Sequence, residues 1–235
     1  MPPVLDPPVP TYTPLELTLR PGQSKDPVAV TAKRHIFSLC NLDPIILDVL
    51  IDLTQLGLAI DQSMREGKAT IHPGAMDEFI VNVYHRLLQA PTETYTDLDN
   101  ACRFASLLYV KTLLRSSDMR WVSVRLAGKL RSALGALIPC GYPMPLLCWL
   151  CYMGLFGSIP GGDRWAWFAN TLVHWYTLRR GRQPDWTSLR EELRQLAWIP
   201  HVHDEPGRTQ WQMVENVVLL GIQSKIADPR LNYVA

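Results

Sequence analysis

Between Arg131 and Asp163 the chain carries no charged residue, and within that stretch residues 145–157 are apolar on every side. Leu146, Leu147, Trp149, Leu150, Tyr152, Met153, Leu155 and Phe156 leave no polar face on a helix drawn through them. A helix of that kind is stable only when it is enclosed, by the rest of a sizeable protein or by lipid. Prolines at 139, 143, 145 and 160 interrupt the stretch, and the uninterrupted piece is shorter than the roughly 20 residues that a membrane span requires. Residues 145–157 therefore read as a core helix, and the remaining chain must supply its covering.

That covering is available. A chain of 235 residues, 47% hydrophobic and 19% charged, can bury a core and is not a disordered tail. The formal net charge of +1 gives no whole-molecule field for nucleic acid or acidic lipid. Cysteines at 40, 102, 140, 148 and 151 form an odd set without regular spacing, which suits a reducing, intracellular compartment. The first residues, Met1 to Asp6, lack the basic start and apolar run of a secretory signal.

Prolines at 2, 3, 7, 8, 10, 14, 21 and 27 predict an extended, polyproline-like arm over residues 1–30. Residues 31–235 read as one all-α, multi-helix globular domain of about nine helices around the buried central one. A short helix is predicted over 32–40. Asp43-Pro44 starts a long one that places Ile46, Val49, Leu50, Leu53 and Leu56 at spacings of three and four and ends near Gly67. His72-Pro73 opens another, ending at Ala90-Pro91. Asp97 or Asp99 caps a third, a fourth begins around Asp118, and Asp163 caps the helix that Gly181 closes. Asp185 caps a short helix carrying Leu189, Leu193, Leu196 and Trp198 and ending at Pro200. Asp204-Glu205-Pro206 starts the last, which runs through Trp211 to Ile222. Leu15, Leu17 and Leu19 alternate with polar neighbours within the arm, but no stretch combines period-two alternation with the Val/Ile/Thr enrichment of a sheet strand.

Candidate chemistry is sparse. Cys148-x-x-Cys151 has metal or redox spacing but no second pair, so both thiols read as core filler, and no metal site or cofactor is predicted. His201-x-His203-Asp204-Glu205 gathers four groups able to act as acid, base or ligand, although Asp204 is also the expected helix cap. Tryptophans at 149, 165, 167, 175, 186, 198 and 211 crowd the C-terminal half. Trp149, Trp165, Trp167, Trp175, Tyr176 and Trp211 are candidates either for core or for an apolar ligand pocket. Lys111, Arg115, Arg120, Arg125, Lys129 and Arg131, with only Asp118 against them, read as a phosphate-binding face or as a solvated helix pair. Trp121 is the one aromatic there that could stack on a base. A phosphate-cradling glycine loop, a nucleophile elbow and the zinc-protease helix motif are all missing from the sequence.

The segment from Leu42 to Leu47 (Leu-Asp-Pro-Ile-Ile-Leu), the run from Cys102 to Leu108 and the run from Leu147 to Leu155 resemble the all-helical regulatory domain of fungal zinc-cluster transcription factors. Asp185-Trp186, then Leu196-Ala197-Trp198-Ile199-Pro200, Asp204-Glu205-Pro206-Gly207 and Trp211 extend the resemblance, which covers most of residues 30–225. Members of that family carry an N-terminal DNA-binding module in which six cysteines hold two zinc ions. Here the first cysteine is Cys40, so the resemblance implies the regulatory half without the DNA reader. It implies a nuclear or cytoplasmic protein acting through protein–protein or small apolar effector contact, with homodimerisation open, and it carries over no catalytic residue. The alternative is a cofactor-free enzyme or accessory protein of fungal secondary metabolism, with an aromatic-lined helical cavity and His201, His203, Asp204 or Glu205 as acid or base.

Overall fold

Asp43 begins the first long helix as its sequence predicts, its Oδ1 accepting the Ile45 N–H at 2.9 Å. The computed structural model describes residues 35–66, 73–89, 94–114, 120–138 and 141–219. The proline-rich arm, Gly67, His72, Ala90-Pro91, Asp118, Cys140 and the expected continuation of the last helix to Ile222 lie outside these residues. After a helical turn at 35–38 come α1 (Pro44–Glu66), α2 (Pro73–Gln89), α3 (Asp97–Leu113), α4 (Arg120–Gly135) and α5 (Met144–Gly157). They are followed by α6 (Asp163–Arg180), α7 (Trp186–Leu193), α8 (Pro200–Val214) and a π-helical segment, Glu215–Leu219. Among the described residues there is no strand.

The uniformly apolar stretch is α5, and it is the centre. Every residue of it is buried except Phe156, which is half-buried. α3, α4, α6, α7 and α8 all pack on it, while α1 and α2 lie outside α3 and α1 also meets α8. Each large side chain buried this way contributes about 1.5–3 kcal/mol relative to exposure. No described helix is long and apolar enough to cross a membrane. The crossing of α5 with α6 requires Gly154: a methyl group there would overlap the ring of Phe168.

Four helix ends differ from the sequence expectation, each for a local reason. The cap of α3 is Thr96, not an aspartate. Thr96 Oγ1 accepts the Asp99 N–H at 3.1 Å, and Asp99 Oδ2 accepts the Thr96 N–H at 3.0 Å, a reciprocal capping box. Asp99 is buried and also accepts the Asp43 N–H at 2.8 Å, so one carboxylate joins the starts of α1 and α3. Gly162, not Asp163, caps α6, and Asp163 instead sits in the first turn, where the helix dipole favours an anion. α7 stops at Leu193, leaving Leu196 and Trp198 in the turn that follows. α8 begins at Pro200, not at Asp204, and takes Pro206 into its interior.

Candidate functional site

The ends of α7 and α8 are built around two aspartates. Asp185 caps α7: its Oδ1 accepts the Ser188 N–H at 2.9 Å and its Oδ2 accepts the Ser188 hydroxyl at 2.6 Å. That hydroxyl contact, with the backbone N–H, holds the Asp185 carboxyl below the usual range. Asp204 lies in the first part of α8 and faces back across the turn. Its Oδ2 accepts two bonds from Arg190, at 2.8 and 2.5 Å, and its Oδ1 accepts the indole N–H of Trp198 at 2.8 Å. Asp204 is thus the clasp that binds α7 and the intervening turn to α8. Its expected role as a cap fails because the helix has already started, at Pro200.

Gly207 lets the two elements close up. A Cβ at this position would lie 2.8 Å from Trp186 and 2.9 Å from Trp198 ring carbons, so only a glycine lets α8 come this near. Beneath Trp186 the rings are continuous. Trp198 lies 6.5 Å from Trp186, stacks on Phe156 at 6.1 Å and meets Tyr152 edge-on at 5.8 Å.

Above this floor opens a cleft of about 480 Å³ lined by Trp186, Thr187, Arg190, Asp204, Glu205 and Arg208. Arg190 and Asp204 neutralise each other across it. Glu205 and Arg208, both exposed, form no ion pair among the described residues. The cleft therefore offers an indole, a hydroxyl, an uncommitted carboxylate and an uncommitted guanidinium. That combination has the chemistry to meet an amphipathic small molecule by one apolar face and one polar end.

The acid–base candidates do not converge on it. His203 is buried, and its Nδ1 accepts the Ile199 N–H at 3.0 Å. Its Nε2 lies 2.7 Å from Thr112 Oγ1, whose own proton goes to the Tyr109 carbonyl at 2.6 Å. Nδ1 must then be bare and Nε2 must carry the proton, which fixes a neutral ring. Burial pushes the His203 pKa down to about 4, in keeping with that tautomer. The ring is packed among Trp198 at 5.0 Å and Tyr109 at 5.3 Å. His201 points elsewhere, its Nδ1 lying 3.3 Å from Asp61 on α1. Of the four candidates, Asp204 and Glu205 reach the cleft, and Asp204 is committed to Arg190 and Trp198.

The aromatic pocket candidates are packed into the core. Trp149, Trp165, Trp175, Tyr176 and Trp211 are buried, and Trp167 is half-buried with the Arg131 guanidinium 5.4 Å above it. Three of the indole nitrogens are used internally: Trp149 donates to the Ala197 carbonyl at 3.0 Å, Trp165 to Gln210 at 2.6 Å and Trp211 to Glu215 at 2.7 Å. Cys148 and Cys151 are fully buried, and desolvation drives both thiols far above their usual range, so neither supplies a thiolate. Among the described residues, no three His, Cys, Asp or Glu side chains are grouped to hold a metal ion.

Trp186, Thr187, Arg190 and Arg208 escaped sequence reasoning as a site. Trp186 stood out only as a residue opening a helix and as one of the tryptophans crowding the C-terminal half, and nothing in the sequence couples Arg190 to Asp204. Comparison with protein-family models, with curated proteins and with solved structures gave no match.

Proposed function

We propose that the chain is a regulatory binding domain of the kind found in fungal zinc-cluster transcription factors, working in the nucleus or cytoplasm. Its effector site is the cleft between α7 and α8. The observation that carries this reading is the division of labour around the cleft. Trp186, Glu205 and Arg208 are presented to a ligand, while His201, His203 and Asp204 are each engaged with a different structural partner. Such a site is suited to binding more than to proton transfer, which needs an acid or base within reach of the reacting atom.

The effector has an apolar face for the Trp186 indole and a charged or polar end for Arg208 or Glu205. It acts by favouring one packing of α8 on α7 over another, a population shift read out by a protein partner. Pro206, which cannot donate to the helix ladder, is the place in α8 where such a change costs least.

The test is a screen of small aromatic carboxylates, amines and zwitterions by thermal shift and by the fluorescence difference between wild type and Trp186→Phe. The expected result is a compound that saturably raises the melting temperature of the wild type and not of Trp186→Ala or Arg208→Ala. In a reporter assay with the chain fused to a heterologous DNA-binding module, the same compound changes output through the wild type only. A compound class that stabilises wild type and both variants equally would place the effector elsewhere, and silence of the fused chain in the reporter would remove the regulatory reading.

A further inference from the structure

Helix α4 carries Arg120, Arg125, Lys129 and Arg131 and not one acidic residue. All four are exposed, and among the described residues none of them meets a carboxylate. The ion pairs of the described chain are made by Arg65, Arg86, Arg180, Arg182 and Arg190, with His201 facing Asp61. Helix stability does not account for the arrangement. The last turn of α4, where the helix dipole would reward a cation, has none.

What surrounds these charges extends them. Arg164 reaches over from α6, donating from Nη1 to the Val124 carbonyl at 2.8 Å. Lys129 Nζ lies 5.5 Å above the Phe104 ring, and Arg131 covers Trp167. Trp121, Arg125 and Lys129 recur every fourth residue and so share one face of the helix. Trp121 leaves 63% of its surface exposed at the start of that face. Such a large aromatic beside unpaired cations resembles half of an interface: an anchor for one apolar side chain, rimmed by charges of one sign.

We propose that this face docks an acidic peptide segment of a partner protein, its carboxylates on Arg125 and Lys129 and one apolar side chain against Trp121, with Arg120 and Arg131 on the neighbouring flank of the helix adding to the positive field. Charge complementarity selects the peptide. A duplex-binding protein commonly neutralises about 6–10 phosphates, more than the four cations of α4 provide, and the whole chain has a formal net charge of only +1. The inference extends the reading of the chain as a binding domain by naming what it binds. It needs no ligand in the α7–α8 cleft.

The experiment uses the full chain and a fluorescein-labelled synthetic peptide of mixed glutamate and aspartate with one central phenylalanine. Fluorescence anisotropy is expected to show saturable binding that weakens steeply with added salt. Arg125→Glu/Lys129→Glu loses roughly tenfold or more in affinity, as does reversal of charge at a complementary rim. Arg125→Gln, the milder change, loses less, and Trp121→Ala loses several-fold and no longer distinguishes the phenylalanine peptide from its glycine counterpart. These side chains are exposed, so thermal melts stay unchanged. Failure of wild type to saturate, or equal binding by the charge-reversed pair, overturns the proposal. It is equally overturned if a random-sequence DNA duplex or phosphatidylserine vesicles bind more tightly than the peptide and lose that binding in the charge-reversed pair. Trp186→Ala keeps peptide binding intact, so this proposal and the effector cleft fail separately.

Discussion

Acidification is expected to destabilise this protein well before its carboxylates protonate, because of one ring. His203 accepts the Ile199 N–H at Nδ1 and donates from Nε2 to Thr112, so a second proton has no acceptor and breaks the Ile199 bond. It would also place a charge against Trp198, Tyr109 and Phe156. Burial sets the folded pKa at about 4, against 6.5 for the free ring. Between those values the unfolded chain binds the extra proton and the folded chain does not, so stability rises with pH across this window. It is complete above the unfolded value and is lost as pH falls toward the folded one. With about 1.4 kcal/mol for every tenfold difference in proton affinity, the whole window amounts to roughly 3 kcal/mol, a large share of the 5–15 kcal/mol that holds a typical domain together. Urea unfolding followed by circular dichroism, repeated at steps from about pH 7 to about pH 4, measures the slope. His203→Gln is less stable near neutrality by about 1–3 kcal/mol, having lost a satisfied buried ring, but its stability varies much less across the same window. Identical slopes for the wild type and His203→Gln would refute the argument.

Gly154→Ala forces a methyl into the Phe168 ring and is expected to cost about 1–3 kcal/mol or more in unfolding free energy, part of which Phe168→Leu in the same chain recovers. Asp204→Asn removes the charge that Arg190 pairs with and weakens the bond to Trp198. A loss of about 1–3 kcal/mol in urea unfolding is expected, together with a changed Trp fluorescence as the turn loosens. Thr96→Ala is expected to cost about 1 kcal/mol. Adding Asp99→Ala should cost less than the sum of the two single changes, since the capping box is one unit.

The architecture was legible because its strongest signals are local. An apolar run with no polar face, and too short to span a membrane, reads as central, and Asp43-Pro44, Asp185 and Gly181 mark helix ends through bonds made within a few residues. The start of α8 was not legible because Asp204-Glu205-Pro206 is a good local start signal. The residue that redirects Asp204, Arg190, stands 14 positions earlier and meets it only in the folded chain. The cleft was hidden for the same reason. Helical spacing shows that Trp149, Trp165 and Trp211 point inward, yet it cannot tell a ring facing another ring from a ring facing a ligand. Trp186, half-buried on a short helix, gave no periodic signal at all.

The carboxylate of Asp99 ties the beginning of α1 to that of α3, though 56 positions separate it from Asp43. Neither helix can fray at that end alone, because releasing the first amides of one leaves the other with a charge that has lost a donor. Amide hydrogen exchange at the two starts should therefore run in step, and a substitution that loosens the outer layer at α1 will be felt at α3, the helix that lies directly on the core.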